Sequence, residues 1–289
     1  MKRFLITAFM LAAICGCGQV ESHQLKVISY NVRNSGADDG QNAWELRKTA
    51  SITMLEEENP DIFGLQEALA DQVAYFDEML SAYRGVGVGR EDGKEEGERM
   101  MVYYDTTKVS LLDWGTYWLS ETPDEPSYGW NAACRRTATW TKLHHRASGK
   151  DFFYVNTHLD HVSAEARKNG LKLIIDRIKA MNPDSLPMIL TGDFNVEPTD
   201  ETLTGIDKLM LSARKEAAET ETKGSFNGFG QYGESASAPV GAADWSDLSL
   251  DYIYYSNFTE CPRFTVLDKQ YDGVEYISDH YPVEAVLVF

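Results

Sequence analysis

The sequence predicts one α/β domain in which helices cover sizeable mixed β-sheets. Two observations support this fold class. Segments of β-forming residues alternate with helical segments along the chain, and neither an internal repeat nor a linker interrupts them, which is typical of helices packed on sheets. The chain has 289 residues, of which 43% are hydrophobic and 25% charged, so it is long enough to bury a substantial core.

The first third of the chain predicts a strand, a helix and a second strand. Residues 25–31 alternate and then become apolar, which indicates a strand. A loop over 33–42 follows it. Helical spacing of apolar residues predicts a helix over 44–58, which stops before a proline, and 61–67 predicts a strand that ends on Glu67. A strand, a helix and a strand in this order favour a right-handed crossover.

The rest of the chain continues this alternation. Up to residue 158 its patterns predict, in order, a helix over 70–80; an extended segment over 84–88; an exposed charged loop over 90–99; a pair of strands over 100–104 and 109–119 with a turn at 105–107; a loop over 120–128; and a hairpin of 136–143 and 151–158. After that they predict a helix over 163–181 capped by Ser163; a strand over 186–194; and a helix over 199–217 capped by Thr199. A surface loop over 223–247, which is a candidate to line a site, and strands over 251–255 and 281–289 complete the prediction.

Residues 1–16 predict a signal peptide. Two basic residues precede the apolar run 4–14, which is too short to span a bilayer, and small residues follow it. The sequence Ile-Cys-Gly-Cys that ends at Cys17 resembles the lipobox of bacterial lipoproteins, which implies cleavage before Cys17 and lipid attachment to its thiol. An ordinary cleaved signal is the alternative. We therefore expect an exported protein, lipid-anchored to a bacterial membrane on its periplasmic or cell-surface side, with 17–24 as a tether.

Charge and cysteine content narrow the functional classes. The formal net charge of −18 repels polyphosphate backbones, and the chain lacks the basic stripe of nucleic-acid-binding proteins, which favours small substrates. No CxxC or zinc-site spacing occurs. Outside the N-terminal segment the cysteines are Cys134 and Cys261, and whether they form a disulfide depends on a distance that sequence does not give.

The candidate site is organised around a short apolar run that ends in Gly-Asp-Phe-Asn at 192–195. Such a run is typical of a buried strand whose last residues reach the edge of a sheet, where α/β proteins bind ligands. Asp193 and Asn195 are two apart on an extended segment, so they point to the same side. Similar polar residues stand at other strand ends or openings: Asn31; Glu67; His158 with Asp160; Asp251; and Asp279 with His280.

These residue types fit metal-assisted cleavage of a phosphoester. Mg2+ takes oxygen ligands, usually one or two carboxylates, and Glu67 and Asp279 are candidates for them. Hydrolysis also requires charge compensation on the phosphoryl oxygens and a group that deprotonates water. Imidazole suits that role near neutral pH when a buried carboxylate fixes its tautomer. His280 with Asp251 is therefore a candidate pair.

Six motifs follow one another along the chain: Ser-Tyr-Asn-Val-Arg, Leu-Gln-Glu, Asn-Thr-His-Leu-Asp-His, Gly-Asp-Phe-Asn, Leu-Asp-Tyr-Ile and Ser-Asp-His-Tyr-Pro-Val. In order and approximate spacing they resemble the endonuclease/exonuclease/phosphatase superfamily, and the resemblance covers residues 25–289. It implies a single catalytic domain with a four-layer sandwich fold, in which two mixed β-sheets pack face to face and are flanked by helices.

The resemblance also implies roles for individual residues. They are Glu67 as a ligand at a Mg2+ or Mn2+ site; Asp279 as a second metal ligand or a water-positioning group; Asn31 in the network of the metal site or at a phosphate; His158 at the phosphate or the leaving group; Asp193 at the attacking water; Asn195 at a phosphoryl oxygen; and Asp251 as the carboxylate that orients His280. The superfamily divides on whether the general base corresponds to His280 or to Asp193, so both remain candidates.

Further residues are candidates for the substrate side of the site. Glu98 and Arg99 resemble a Glu-Arg pair beside the deoxyribonuclease site, and one of Arg135 and Arg136 is placed to contact phosphate as a bidentate fork. Asp160, which accompanies His158, belongs to the same group. For four more residues a solvated or helix-capping role explains the sequence as well as substrate contact does: Arg33, Arg47, His161 and Arg167.

The sequence thus predicts a monomeric, metal-dependent phosphoesterase that attacks a phosphodiester or phosphomonoester directly with water. A small phosphorylated substrate is favoured over nucleic acid. The alternatives are an extracellular endo- or exonuclease acting on DNA or RNA, a catalytically silent binding lipoprotein, and a sphingomyelinase-like lipid hydrolase. A long basic groove around Arg33, Arg99 and Arg135 would indicate a nuclease, and a closed pocket would indicate a small substrate.

Overall fold

The computed structural model describes residues 23–230 and 248–289. The predicted signal peptide, Cys17 and all but the last two residues of the predicted tether lie outside this range, as does most of the predicted loop 223–247. Those predictions stay predictions. None of the helices in the described ranges is long and apolar enough to cross a membrane.

The described strands form two sheets. The first sheet consists, in spatial order, of β10 (Glu219–Thr220), β12 (Glu260–Val266), β13 (Val283–Val288), β1 (Gln24–Asn31), β2 (Ile62–Ala68), β4 (Arg99–Asp105) and β3 (Tyr83–Val86). The second consists of β5 (Val109–Trp118), β6 (Thr137–His145), β7 (Lys150–His158), β8 (Met188–Asp193), β11 (Asp251–Ser256) and β9 (Leu211–Ser212). Both sheets are mixed, because each contains parallel and antiparallel neighbours.

Parallel pairing places the candidate residues at shared sheet edges. The helix α1 (Trp44–Glu58) connects the parallel strands β1 and β2, and α2 (Ala70–Met79) follows β2. The helix α3 (Ala164–Met181) connects the parallel strands β7 and β8. In the second sheet His158 and Asp251 are both register partners of Asp193. The motif residues of each sheet therefore end at one edge of it.

Three apolar clusters separate four layers. The inner cluster joins the facing sides of the two sheets, with Val27 and Ile62 from the first and Ile189 from the second. A second cluster packs α1 and α2 on the outside of the first sheet, and a third packs α3 on the outside of the second. The predicted four-layer sandwich is confirmed.

The longest described helix shows how local sequence sets its limits. Ser163 caps α3, since its Oγ accepts the Ala166 N–H at 3.1 Å. Leu171, Ile174 and Ile178 recur at helical spacing and are all buried against the second sheet. The predicted helix over 163–181 is confirmed, as are the helix over 44–58 and the hairpin of β6 and β7.

The predicted strand pair over 100–104 and 109–119 is wrong in its pairing. Both segments are strands, but β4 pairs with β2 and β3 while β5 pairs with β6 in the other sheet. Asp105 Oδ1 accepts the Thr107 N–H at 2.8 Å, and Lys108 Nζ lies 2.7 Å from Asp61 Oδ1. These contacts hold a turn that leads the chain from one sheet to the other. A turn signature does not distinguish this change of sheet from a hairpin.

The predicted helix over 199–217 is also wrong. The segment contains a 3-10 turn at Glu201–Thr204, the short strand β9 and a four-residue helix, α4 (Ala213–Glu216). Asp200, and not Thr199, caps the 3-10 turn through the Thr202 N–H at 2.8 Å. Pairing of β9 with β11 interrupts any continuous helix. The strands β10 and β12 were not predicted. Cys134 and Cys261 are both free thiols, so the pairing left open by the sequence does not occur in the structure.

Candidate active site

The strand ends border one cleft of about 320 Å3. The residues that line it are Arg33, Asn34, Glu67, Arg90, Glu98, Cys134, Arg136, His158, His161, Asp193, Asn195, Phe226, Asp279 and His280. Asn31 and Asp251 are buried directly beneath this surface, in hydrogen bonds to its residues. Eight predicted site residues therefore meet in one place: the three candidates for the metal site and the five for catalysis.

Glu67 is held in an unusual backbone conformation at the end of β2. Its φ is 63°, in the left-handed region that side chains other than glycine rarely adopt. The carboxylate accepts Asn31 Nδ2 at 3.1 Å, Asn34 Nδ2 at 3.1 Å and the Asn34 N–H at 3.2 Å. Three hydrogen bonds thus hold a strained residue with its carboxylate toward the cleft, as is common at functional sites.

Glu67 and Asp279 form the acidic wall of the cleft. Burial disfavours the charged form of both carboxyl groups. The pKa of Asp279 is raised as a result, and the negative charge of Glu67 raises it further. For Glu67 the effect of burial is outweighed by the hydrogen bonds from Asn31 and Asn34 and by His280, so its pKa is lowered. Asp279 has Arg33 Nε at 3.7 Å, but Arg33 also forms a bidentate pair with Asp39. Two neighbouring carboxylates, one half-buried and one buried, fit a hard divalent cation.

Asn31 connects this wall to the second sheet. Its Nδ2 donates to Glu67 Oε1 and to Asp193 Oδ2, the latter at 2.9 Å, and its Oδ1 accepts the Arg33 N–H at 3.0 Å. All of these atoms are therefore engaged by the protein. The side chain is fully buried, so its position is fixed.

His280 lies between two carboxylates of the second sheet. Its Nδ1 is 2.7 Å from Asp251 Oδ2, and its Nε2 is 3.7 Å from Asp193 Oδ2. Ligand atoms of these three residues lie within 4.8 Å of one another, a spacing that also suits an ion. The 2.7 Å contact, however, is a direct hydrogen bond and leaves no room for an ion between His280 and Asp251. The arrangement is one in which a proton can be shared between His280 and Asp251.

Burial and charge set the protonation of this group. Burial lowers the pKa of His280, but Asp251 and Asp193 raise it further, so that it stands well above its ordinary value. Burial raises the pKa of Asp193 to about 7, despite the opposing charge of His280. The two carboxylates thus favour the protonated form of His280, whereas burial disfavours the charged form of Asp193.

His158 and Asn195 form a second contact beside Asp193. Asn195 Nδ2 donates to the Leu159 carbonyl at 3.0 Å and to His158 Nε2 at 2.9 Å. The carbonyl contact fixes which amide atom is the nitrogen, so His158 Nε2 is the acceptor and its proton is on Nδ1. Burial, together with Arg136 and Arg90, holds the pKa of His158 well below its ordinary value. His158 is neutral.

The candidates for the substrate side divide between the cleft and its surroundings. Arg136 and Glu98 line the cleft, whereas Asp160, Arg99 and Arg135 do not. Asp160 accepts the backbone N–H groups of the loop that follows it. Arg135 is paired with Glu91 and lies over the Tyr128 ring, and Arg99 donates to the Glu95 carbonyl at 3.2 Å.

Of the four residues for which substrate contact and a solvated or capping role were both open, two line the cleft and two do not. Arg33 and His161 line the cleft. Arg47 is fully buried and donates to the carbonyls of Asn42, Val32, Ile277 and Arg33, so it holds loops together. Arg167 donates to the Asp160 carbonyl at 3.0 Å.

Sequence reasoning missed four lining residues: Asn34, Arg90, Cys134 and Phe226. Asn34 stands three residues after Asn31, so proximity to the motif was an available signal. Arg90 lies in the predicted charged loop, and only the fold brings it to the cleft. Phe226 packs edge-on against His280 with ring centroids 4.9 Å apart, in a loop that was a candidate to line a site.

The chain is similar to known proteins over most of its length. A mannosyl-6-phosphatase of Bacteroides thetaiotaomicron is 33% identical with a TM-score of 0.83, covering 92% of this chain and 100% of that one. An endonuclease/exonuclease/phosphatase from Bacteroides vulgatus is 34% identical with a TM-score of 0.82, covering 92% and 98%. An uncharacterized protein of Acanthamoeba polyphaga mimivirus is 28% identical over 265 residues, 85% of this chain and 92% of that one.

The family model described as the Endonuclease/Exonuclease/phosphatase family matches residues 28–280. This range includes all six motifs except the last residues of the sixth. Members of the family are hydrolases that act on phosphoesters, and they use divalent metals. The chain belongs to the endonuclease/exonuclease/phosphatase family and is a phosphoester hydrolase.

Proposed function

We propose that the protein is a Mg2+- or Mn2+-dependent phosphoesterase that hydrolyses a small phosphomonoester or phosphodiester by direct attack of water. One observation carries the proposal. His280 and Asp193, with Asp251 buried behind His280, lie at the same cleft as two carboxylates, half-buried Glu67 and buried Asp279. Charge compensation and deprotonation of water, the two requirements of phosphoester hydrolysis, are thus available in one place.

In this proposal Glu67 and Asp279 hold the divalent cation. When bound, the ion supplies positive charge to the phosphoryl oxygens. Asn31 orients Glu67 through the 3.1 Å hydrogen bond to Oε1, and Asn34 Nδ2 holds the other carboxylate oxygen, Oε2, through a second hydrogen bond. Arg33, which is bound to Asp39, lies at the side of Asp279.

The protonation states favour Asp193 as the general base. Its pKa of about 7 allows it to accept a proton from water near neutral pH. His280 is held protonated by Asp251 and carries positive charge beside the developing anion. Since both Asn195 Nδ2 hydrogens are engaged by His158 and the Leu159 carbonyl, we assign Asn195 a positioning role toward neutral His158.

The dimensions of the cleft support a small substrate. A volume of about 320 Å3 lies at the low end of the range of pockets that bind small molecules, roughly 300–1,000 Å3. Of the arginines expected to mark a nucleic-acid groove, Arg99 and Arg135 lie outside the cleft, and Arg33 is paired with Asp39. The similarity to a mannosyl-6-phosphatase supports the same conclusion.

The experiment measures release of nitrophenol from mono- and bis-nitrophenyl phosphate by the full chain, with Mg2+, with Mn2+ and with EDTA. We expect metal-dependent turnover and a loss of about 10^2- to 10^4-fold in His280→Ala and Asp193→Asn. Lys108→Ala, at the turn remote from the cleft, is the control. Inert wild-type protein with every metal would contradict the proposal, and cleavage of plasmid or RNA alone would indicate the nuclease.

We further propose that the protein is an exported lipoprotein anchored through Cys17. The basic and apolar pattern of 1–16 and the Ile-Cys-Gly-Cys sequence support this. Mass spectrometry of the mature N-terminus should find a lipid-modified Cys17, and Cys17→Ser should release the protein from the membrane fraction. An unmodified N-terminus at another position would indicate an ordinary cleaved signal.

A further inference from the structure

The N-terminal segment joins the folded domain at the edge opposite the cleft. The strand β1 begins at Gln24 and ends at Asn31, which lies beneath the cleft. Its eight residues, with a rise of about 3.3 Å each, place these two ends about 23 Å apart. Phe289 lies at the same edge as Gln24, since its N–H donates to the His23 carbonyl at 3.0 Å. The attachment of the N-terminal segment and the cleft therefore lie at opposite ends of the sandwich.

The second sheet contributes the turn between β6 and β7 to this edge. The ring of His145 stacks on the ring of Phe289 with centroids 4.8 Å apart. The strand β7 then runs from Lys150 at this edge to His158 at the cleft. We call the surface formed by 23–26, 145–150 and Phe289 the tether edge. Both sheets thus run from the tether edge to the cleft.

The tether edge carries exposed cations. Arg146 and Lys150 are both exposed, and neither forms an ion pair with another described residue. The ion pairs of this region join other side chains, such as Lys108 with Asp61. The formal net charge of −18 repels the protein as a whole from an anionic lipid surface. Uncompensated cations at one edge favour the approach of that edge to anionic headgroups.

The length of the N-terminal segment restricts how the domain can turn. The seven residues from Cys17 to Gln24 span at most about 25 Å, whatever their conformation. The strand β1 is the fourth of seven strands in its sheet, so Gln24 lies in the middle of the tether edge. To direct the cleft at a membrane that holds Cys17, the segment would have to run about 14 Å across three strands and then about 23 Å along the sheet. That path exceeds its reach.

We propose that the tether edge rests on the membrane that holds Cys17, so that the cleft opens away from this membrane and takes water-soluble phosphoesters, not its lipids. The proposal rests on the phosphoesterase function and on the Cys17 anchor proposed above. About 23 Å of folded protein separates the headgroups from the cleft residues. A lipid phosphate of the same membrane therefore does not reach Glu67 or His280, which argues against the sphingomyelinase-like alternative.

The test uses the lipid-modified full chain in vesicles of phosphatidylethanolamine and phosphatidylglycerol that contain a headgroup spin label, a quencher at close range. A fluorophore is attached to Ala147→Cys or to Val162→Cys, both in a Cys134→Ser background in which Cys261 is buried. Ala147 and Val162 are exposed, and they lie beyond the two ends of β7. We expect the label at Ala147→Cys to lose most of its fluorescence and the label at Val162→Cys to keep it.

The second measurement compares substrates. The kcat/KM for nitrophenyl phosphate should agree within about twofold between the anchored protein and unanchored Cys17→Ser, because diffusion brings the ester to an open cleft in both. Phosphatidic acid, a lipid phosphomonoester, should stay intact in the vesicles that hold the anchored protein. Its hydrolysis there would overturn the proposal.

The quenching pattern separates this proposal from the phosphoesterase function. Quenching at Val162→Cys that equals or exceeds that at Ala147→Cys would overturn the orientation, as would quenching at neither label. A chain without lipid on Cys17 would remove the anchor and the orientation with it. Absence of turnover by both the anchored and the unanchored protein would contradict the phosphoesterase function, and the two labels would still decide which edge faces the membrane.

Discussion

Asp251→Asn tests whether the charge behind His280 matters to the reaction. The variant preserves the shape of the side chain and a hydrogen bond to Nδ1, which lies 2.7 Å from Oδ2, but removes the carboxylate charge. Two unit charges about 4 Å apart attract by about 4 kcal/mol at an effective dielectric constant of about 20. At about 1.4 kcal/mol per decade this corresponds to a rate loss of about 10^3-fold. Since Asp251 contributes to the raised pKa of His280, the variant should lower that pKa.

The assay is kcat and KM for nitrophenyl phosphate between pH 5 and 9, together with thermal unfolding. We expect kcat to fall about 10^3-fold with little change in KM, because Asp251 lies beneath the cleft and does not line it. Asp61→Asn is the matched control, since Asp61 is another buried carboxylate, paired with Lys108 at 2.7 Å at the start of β2. Asp61→Asn should lower the temperature of thermal unfolding and leave kcat and KM unchanged. Activity of folded Asp251→Asn within threefold of wild type would refute the reasoning.

Three other changes have defined outcomes. Glu67→Gln removes one carboxylate of the acidic wall, so the Mg2+ concentration for half-maximal activity should rise at least about tenfold in a metal titration. Gly64→Ala places a Cβ 2.7 Å from Asn156 Cγ and should lower the free energy of unfolding in urea by about 1–3 kcal/mol, whereas Gly36→Ala, with only ordinary contacts, should not. Burial lowers the pKa of His145 in the folded protein, so as the pH falls the unfolded chain binds a proton at this residue before the folded chain does. The free energy of unfolding should therefore fall as pH drops below about 6.5. His145→Asn should reduce that fall in denaturation curves at pH 5 and pH 7.5.

The fold was predictable where sequence carries a local signal. The helix over 44–58 was predicted with the bounds that the structure has, because its apolar spacing and the following Asn-Pro fix both ends. The strand partners of β4 and β5 were not predictable, because these partners depend on how the two sheets pack against each other. The strand β9 has only two residues and exists through pairing with β11. Such elements depend on tertiary contacts that a local pattern does not contain.

The site was predictable in its members more than in its contacts. Motif residues at strand ends were expected to meet, and the edge pairing of Asp193 with His158 and Asp251 brings them together. What no motif indicated is which atoms are already engaged. Both amide hydrogens of Asn195 are engaged within the protein, whereas Nε and Nη1 of Arg136 have no hydrogen-bond partner among the described residues. These differences depend on side-chain geometry and not on residue type.

The position of Asn31 suggests why the site requires both sheets. Glu67 belongs to the first sheet and Asp193 to the second, and a single buried amide nitrogen donates to both. The first sheet and the segment that leads into β13 thus contribute Glu67, Asp279 and His280, and the second sheet contributes Asp193 and Asp251. Asn31 and the buried pair of Gln66 with Asn156, at 2.7 Å, both connect the two sheets beneath the cleft. Sliding of one sheet against the other would break a hydrogen bond at Asn31, so the packing of the sandwich core itself maintains the geometry that phosphoester hydrolysis requires.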